Sequence, residues 1–177
     1  DAAIFDAAGK IVQRFDEVEE RARRFEEKID GLPAGAVVAV QIGNHEDWPS
    51  IFIACLRRQM VVLPLDESIG EQQRDAALKI CRARSVVSAV PSGDSTQITR
   101  LGTADTTADW GENVPSLLKL TSGTTAAPRA IRFRSHQLLA DCNQICDTMD
   151  ISDADLNFGV IPVSHSYGFS NLLTPLI

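Results

Sequence analysis

The spacing of apolar residues changes along the first half of the chain between the period of a helix and that of a buried strand. Over residues 11–29 apolar side chains recur every three or four positions among Glu and Arg, which predicts an amphipathic helix. Residues 36–42 form a short apolar run rich in valine, typical of a strand buried on both faces of a parallel sheet. The alternation then repeats, with helices predicted at 47–58 and 70–83 and strands at 60–65 and 85–90. This order implies parallel strands joined by right-handed crossovers.

A polar stretch separates this part of the chain from a second group of predicted elements. Residues 93–112 are rich in Thr, Ser, Asp and Gly, which predicts a connecting loop with one short edge strand near 97–101. After it we predict strands at 116–121 and 130–134, a helix at 135–149, and a buried apolar segment at 156–163 that leads into a last helix. The fold class expected is therefore α/β, a mostly parallel sheet layered with helices.

Composition limits the classes of function. The chain has 177 residues, 44% of them hydrophobic, enough for one domain with a substantial core. Its net charge of −7 argues against a nucleic-acid partner, because phosphate backbones require a basic face. No apolar run approaches the roughly 18 residues of a membrane helix, and the chain opens with no signal-like segment, so we predict no membrane span and a cytoplasmic location. The four cysteines form no CxxC pair and predict neither a metal site nor a disulfide framework.

The strongest chemical signal is a hydroxyl-rich segment between two predicted strands. Residues 120–129 read LTSGTTAAPR, with four hydroxyl side chains, a glycine and a terminal arginine. Backbone N–H groups and hydroxyls in such a loop can surround an anion, and the guanidinium of Arg129 can add a charged contact. The spacing differs from GxxxxGK, and a strand rather than a helix is predicted after Arg129. From composition alone, an exposed polar hairpin explains the segment equally well.

A second signal follows the predicted strand at 156–163. Residues 161–168 read IPVSHSYG, so that His165 comes directly after the expected end of a buried strand. A lone histidine in this position is most commonly a helix cap or a core residue with satisfied hydrogen bonds. An imidazole at the end of a strand can also bind a substrate oxygen.

Residues 120–129 closely resemble the phosphate-binding loop of the adenylate-forming (AMP-binding) enzymes, the superfamily of acyl-CoA synthetases, firefly luciferases and peptide-synthetase adenylation domains. The usual form of that loop is TSGTTGxPK, and it binds the β- and γ-phosphates of ATP. The resemblance implies ATP binding by Thr121, Ser122, Gly123, Thr124, Thr125 and Arg129. Two positions depart from the pattern, since Ala126 replaces the usual glycine and Arg129 the usual lysine. If the family glycine adopts a positive φ, alanine there costs about 1 to 2 kcal/mol.

Residues 161–168 are similar to the family pattern Pro-x-x-His-x-x-Gly, in which the histidine lies beside the substrate carboxylate and the α-phosphate. The resemblance implies that His165 is a catalytic-site residue, and it makes Tyr167 and Phe169 candidates for pocket or core positions, with the core favoured. Residues 38–47 and 54–66 also resemble scaffold segments of the family, so that the similarity extends over residues 36–177.

The resemblance implies a reaction in which a small-molecule carboxylate attacks the α-phosphate of ATP, giving an acyl-adenylate and pyrophosphate. The acyl group is then transferred, usually to a thiol of CoA or of a carrier protein, as in an acyl-CoA synthetase. Charge on the transferred group would be neutralised by Mg²⁺ and by loop donors. Residues 1–177 are accordingly predicted to be a single partial domain, the N-terminal portion of the large domain. The metal ligand, the rest of the large domain and the small C-terminal domain are expected outside it.

Two other interpretations remain open at this point. A degenerate relative could keep the fold as a binding or scaffold module after Ala126 had disabled the phosphate loop. An unrelated doubly wound nucleotide-binding domain would require both motif matches to be accidental, and it predicts a helix immediately after Arg129.

Overall fold

A short antiparallel hairpin precedes the first helix. The computed structural model of the protein describes residues 1–90, 95–102, 108–121 and 129–176. Strand β1 (Ala2–Phe5) pairs with β2 (Ile11–Arg14). The turn between them is held by Asp6, whose Oδ1 accepts hydrogen bonds of 2.9 Å from two backbone N–H groups.

Helix α1 (Phe15–Lys28) begins four residues later than its apolar spacing suggests. The prediction of a helix over residues 11–29 is therefore wrong for 11–14. Ile11 fits the helical period of α1, but the preceding turn pairs it with β1 instead. The helix starts where the Arg14 N–H donates a hydrogen bond of 2.7 Å to the Glu17 carboxylate, which satisfies one of the free donors of a helix N-terminus.

The remaining elements build one six-stranded sheet with helices on both faces. In chain order they are β3 (Val37–Gln41), α2 (Trp48–Arg57), β4 (Val61–Pro64), α3 (Glu71–Ile80), β5 (Ala83–Ala89), β6 (Thr96–Arg100), β7 (Leu117–Leu120), β8 (Ala130–Phe133), α4 (Ser135–Met149), α5 (Ser166–Leu173) and a 3-10 turn at Thr174–Leu176. The strand order is β6-β5-β3-β4-β7-β8. The four inner strands are mutually parallel, and the edge strands β6 and β8 are antiparallel to their neighbours. The predicted α/β class with a mostly parallel sheet is confirmed.

Alternation along the strands divides the core between the two faces of the sheet. Val38 and Val40 of β3 pack with α1, α2, α4 and α5 on one face. Val37 and Ala39 of the same strand pack with α3 on the other. Because both sets are buried, the strand reads as a nearly continuous apolar run, which is why the sequence predicted it.

Helix α3 is shorter than predicted. It ends at Ile80 rather than at residue 83, since Arg82 adopts φ +52°, a left-handed conformation that stops a helix, and β5 starts one residue later.

The apolar segment at 156–163 is the clearest difference from the sequence prediction. We expected a buried strand there, but these residues form no strand, and Leu156, Phe158 and Val160 are 77%, 72% and 64% exposed. A strand needs a neighbour that satisfies its backbone groups, and no described strand lies beside this segment. Apolar alternation shows which residues share a face but not whether another element covers that face.

The described ranges contain no membrane-spanning helix, no clustered metal ligands and no disulfide. No helix there is long and apolar enough to cross a membrane. No group of three or more His, Cys, Asp or Glu side chains in those ranges comes together as a metal site. The cysteines are unpaired thiols, of which Cys55, Cys81 and Cys142 are buried, and burial raises the pKa of Cys81 to about 11.

Candidate functional site

Three neighbouring parallel strands end at the same edge of the sheet. Strand β3 is parallel to β4, and β4 is parallel to β7. The residues that follow them, Gly43 and Asn44 after β3, Leu65 and Asp66 after β4, and Thr121 after β7, therefore lie at one edge. In open α/β sheets ligands bind outside the carboxyl ends of the strands, so this edge is the place to look for a site.

The hydroxyl-rich segment joins the two strands of a hairpin. Strands β7 and β8 are paired up to Leu120 and Ala130. Beyond that pair the Thr121 N–H donates a hydrogen bond of 2.9 Å to the Arg129 carbonyl, and Thr121 Oγ1 donates to the same oxygen at 3.3 Å. The prediction that residues 121–129 connect two strands is confirmed. Because a strand follows Arg129, the interpretation as an unrelated doubly wound domain fails its own test.

Thr121 and Arg129 thus face each other at the base of the hairpin, and Arg129 is exposed. Ser122, Gly123, Thr124 and Thr125, which were predicted to bind phosphate, lie outside the described residues, as does Ala126.

His165 stands at the start of α5 with its side chain in solvent. Its backbone is extended, its carbonyl accepts the Phe169 N–H at 2.9 Å, and its N–H donates to the Pro162 carbonyl at 2.9 Å. The imidazole makes no capping hydrogen bond and is 66% exposed, so His165 is neither a side-chain cap nor a core histidine. Its ring is open to a ligand at the end of the strands.

A buried contact explains the glycine that follows His165. A Cβ on Gly168 would lie 2.2 Å from the Pro162 carbonyl oxygen and 2.6 Å from that of Ile161. Only glycine lets α5 approach these backbone atoms. The Pro-x-x-His-x-x-Gly spacing therefore describes one tight turn, in which Pro162 and Gly168 touch and His165 is turned outward.

The loop that carries His165 is bound to the carboxyl edge by Asn44. The Asn44 amide donates to the carbonyls of Gly159 and Ile161 at 2.8 and 3.2 Å and accepts the Val163 N–H at 3.0 Å. The hairpin of β7 and β8 and the His165 loop therefore both adjoin the carboxyl ends of the parallel strands. A cavity of about 500 Å³ lies between the ends of β3 and β4 and residues 162–164.

Asp66 is the charged group nearest to His165. Its Oδ1 accepts hydrogen bonds from the N–H and the hydroxyl of Ser68 at 2.9 and 2.6 Å, and its Oδ2 accepts from Ser164 Oγ at 3.1 Å. The Ser68 bonds are the main reason that the pKa of Asp66 lies below its usual value, and Ser164 and His165 lower it further. Asp66 is consequently a carboxylate at neutral pH, with Oδ2 3.8 Å from His165 Nε2.

Phe169 and Lys119 connect α5 to the hairpin below the loop. The Phe169 ring is 1% exposed, with Lys119 Nζ 5.3 Å from its centroid and equally far from that of Phe133. Partial burial lowers the pKa of Lys119. The expectation of a core position is correct for Phe169 and wrong for Tyr167, which is 51% exposed.

The sequence interpretation did not find Asn44, Asp66 or Lys119 as parts of this arrangement. Asn44 and Asp66 follow strands, and polar residues after parallel strands are a signal that could have pointed to them. Lys119 lies inside a strand, and nothing in its local sequence indicates its aromatic neighbours.

A sequence profile described as AMP-binding enzyme matches residues 9–177. The chain is a member of the AMP-binding enzyme family. No curated protein sequence matches it significantly.

Solved structures agree with the AMP-binding fold at low sequence identity. VinN matches with a TM-score of 0.80 at 20% identity, over 98% of this chain and 50% of VinN. MatB from Rhodopseudomonas palustris matches with a TM-score of 0.74 at 20% identity, over 99% of this chain and 40% of MatB. O-succinylbenzoate coenzyme A synthetase (MenE) from Bacillus subtilis, solved in complex with AMP, matches with a TM-score of 0.74 at 15% identity. The match covers 99% of this chain and 49% of MenE. This AMP-binding chain thus spans about half the length of these proteins or less, and its fold is that of the N-terminal half of adenylate-forming enzymes.

Proposed function

We propose that this chain is the N-terminal portion of the large domain of an ATP-dependent ligase that activates a small-molecule carboxylate as its acyl-adenylate. The observation that carries the proposal is that two loops adjoin the same edge of the sheet. The hairpin with Thr121 and Arg129 continues β7, and the loop with His165 is hydrogen-bonded to the ends of β3 and β4. MenE with bound AMP, and VinN with bound 3-methylaspartate or L-aspartate, support the choice of ligands, although these ligands belong to those proteins.

The proposed phosphate site is the hairpin loop. Thr121, Ser122, Gly123, Thr124, Thr125 and Arg129 would bind the β- and γ-phosphates of ATP through backbone N–H groups, hydroxyls and a guanidinium. The Arg129 side chain is exposed, as a contact to a soluble nucleotide requires. Any Mg²⁺ that accompanies ATP supplies charge neutralisation when it is bound. The protein ligand of that Mg²⁺ is proposed to lie outside this chain.

His165 is proposed to hold the reacting carboxylate against the α-phosphate. A carboxylate oxygen attacks the α-phosphorus, the bond from that phosphorus to the bridging oxygen breaks, and pyrophosphate leaves. The imidazole can donate a hydrogen bond to the acyl or phosphoryl oxygen, and the Asp66 carboxylate lies 3.8 Å from its Nε2. A thiol of CoA or of a carrier protein would then attack the acyl carbon and release AMP, as in an acyl-CoA synthetase.

The test of the proposal is carboxylate-dependent exchange of labelled pyrophosphate into ATP by the full-length protein that contains this chain, screened over mono- and dicarboxylic acids. Exchange above the acid-free control is expected for at least one acid. Absence of exchange with every acid would contradict the proposal.

Ala126 favours one alternative, a binding or scaffold module whose phosphate loop no longer accepts nucleotide. ATP binding measured by calorimetry separates the two, with Ala126→Gly in the full-length protein as the comparison. The proposal expects measurable affinity in the natural sequence. Binding only after glycine is restored would favour the scaffold module.

Arg129→Ala in the full-length protein is expected to weaken ATP binding by about 1.5 to 3 kcal/mol, the usual contribution of a hydrogen bond to a charged group. Binding of the carboxylic acid should change less. Arg134→Ala is the matched control, because Arg134 is also exposed but lies after β8 rather than in the loop. Equal nucleotide affinity of the Arg129 variant and the natural protein in calorimetry would remove Arg129 from the site.

The 177-residue chain alone is expected to fold but not to catalyse pyrophosphate exchange. The charge that moves in the reaction has to be matched by groups held in place beforehand, and the proposal places several of them elsewhere. An exposed phosphate contact contributes about 1 kcal/mol or less, so ATP affinity should be millimolar or weaker. The full-length protein is the positive control. Turnover by the chain comparable to that control would show that the proposed division of the active site is wrong.

A further inference from the structure

We propose that Asn44 is a positioning residue for His165. The Asn44 side chain holds residues 159–163, so that the imidazole has one defined position at the carboxyl edge of the sheet. The amide bonds three main-chain groups that lie 115 to 119 residues further along the chain. The consequence for catalysis rests on the proposed function, whereas the structural role of Asn44 does not.

The geometry fixes the orientation of the Asn44 amide. Nδ2 faces two carbonyl oxygens, of Gly159 and Ile161, and Oδ1 faces the N–H of Val163. A flipped amide would set an acceptor against two acceptors and a donor against a donor, so only one orientation satisfies all three groups. Among the natural side chains of this size, only an amide supplies two N–H donors and a separate acceptor oxygen.

The segment that Asn44 binds has no sheet partner of its own. Residues 156–163 form no strand in the described chain, and three apolar side chains there face solvent. The asparagine side chain replaces part of the hydrogen bonding that a neighbouring strand would give. Its loss would leave the backbone on the N-terminal side of His165 weakly held.

Asn44 is itself fixed by the core. It follows Gly43, which adopts φ +59°, and the carbonyl of Gly43 accepts a hydrogen bond of 2.6 Å from Trp48 Nε1. Trp48 is 2% exposed. The turn after β3 is therefore rigid, and the Asn44 amide is presented to the loop in a defined place.

A second contact holds the residue immediately before His165. Asp66, at the end of β4, accepts the hydroxyl of Ser164 at 3.1 Å and is itself bound by Ser68. Val163 and Ser164 are thus tied to two adjacent strands immediately before His165. On the other side of His165, Gly168 packs closely against the Pro162 and Ile161 carbonyls. The backbone of His165 is therefore held from both sides, although its imidazole makes no hydrogen bond to the helix.

The structural part of the proposal is tested by hydrogen–deuterium exchange of the full-length protein, read by mass spectrometry in peptides that span residues 158–165. Asn44→Ala should accelerate exchange of the Val163 amide by about tenfold or more, because its acceptor is lost. The matched control is Asn157→Ala, an asparagine of the same loop that donates to the Asn171 carbonyl and to Thr174 rather than to residue 163. Unchanged exchange in Asn44→Ala, or equal acceleration in both variants, would overturn the proposal.

A second variant keeps the test decisive if Asn44→Ala does not fold. Asn44→Asp has the same size and retains an acceptor, but it sets a carboxylate oxygen against the Gly159 and Ile161 carbonyls. Faster exchange in residues 158–165 is expected here as well. Protection equal to that of the natural protein would overturn the assigned role of the two donated hydrogen bonds.

The functional part is tested by steady-state kinetics of adenylation. Asn44→Ala should raise the KM for the carboxylic acid and lower kcat, together by about tenfold or more in kcat/KM, with the KM for ATP changed less than about twofold. If Asn44 acts through His165, the double variant with His165→Ala should be no worse than His165→Ala alone. Multiplying effects would overturn the positioning role. If the natural protein catalyses no adenylation, the proposed function is refuted. The hydrogen–deuterium exchange experiment still tests the structural role of Asn44.

Discussion

Phe169→Ala is expected to lower the free energy of unfolding by about 3 to 5 kcal/mol, the range for removing a buried aromatic ring. The ring is 1% exposed and makes edge contacts to Phe52 and Trp48, with centroid distances of 5.1 and 6.3 Å. Alanine would leave a cavity among these rings and would also remove a neighbour of the Lys119 ammonium, 5.3 Å from its centroid.

Urea titration of the purified protein, followed by tryptophan fluorescence, measures this loss. Tyr167→Ala is the control, since it removes an aromatic ring from the same helix at a position that is 51% exposed. Its effect should stay within about 0.5 kcal/mol, as for other surface positions. Equal losses in the two variants would show that Phe169 is not the core residue described above.

Gly168→Ala is expected to lower the free energy of unfolding by about 3 kcal/mol, at the upper end of the range for inserting a methyl group into a packed site. The cost is high because the new Cβ would meet the Pro162 and Ile161 carbonyl oxygens at 2.2 and 2.6 Å, and backbone atoms cannot rotate away as side chains can. Relief requires α5 to move outward, and His165 would move with it.

Gly168→Ala should therefore change both the free energy of unfolding and the proposed catalysis. Gly102→Ala is the matched control, because a Cβ there meets no atom of the described residues within 4 Å. The control should unfold at nearly the same urea concentration as the natural protein, whereas Gly168→Ala should also weaken the proposed binding of a carboxylic acid. A Gly168 variant as stable as the control would contradict the close approach of α5 to the loop.

The sheet could be predicted because its inner strands carry their burial in their own composition. Val37 to Val40 are buried from both sides, so local sequence alone identifies β3. Residues 156–163 have a similar apolar content but no described neighbour, and their exposure depends on the rest of the fold. Ile11 shows the same limit on a smaller scale, since it fits a helical period and yet pairs with β1.

The same limit of local sequence applies to the residues of the candidate site. Thr121, Arg129 and His165 were found because their motifs are short and contiguous. Asn44 and Asp66 were not, because their hydrogen bonds to the His165 loop join residues 98 to 119 positions apart, and no local pattern encodes a hydrogen bond over that separation. The reason for Gly168 was also hidden, since its φ is unremarkable and only the nearby carbonyls exclude a side chain.

The uncovered apolar row of Leu156, Phe158 and Val160 affects how this chain behaves in concentrated solution. Exposed apolar side chains in alternation are a template for self-association, and the edge strand β8 offers unpaired backbone groups as well. The net charge of −7 acts in the opposite direction, because molecules of like charge repel one another. Salt shortens the range of that repulsion, to about 8 Å at physiological ionic strength. Low salt at neutral pH is therefore the condition that favours a dispersed preparation, and acid or high salt favours aggregation.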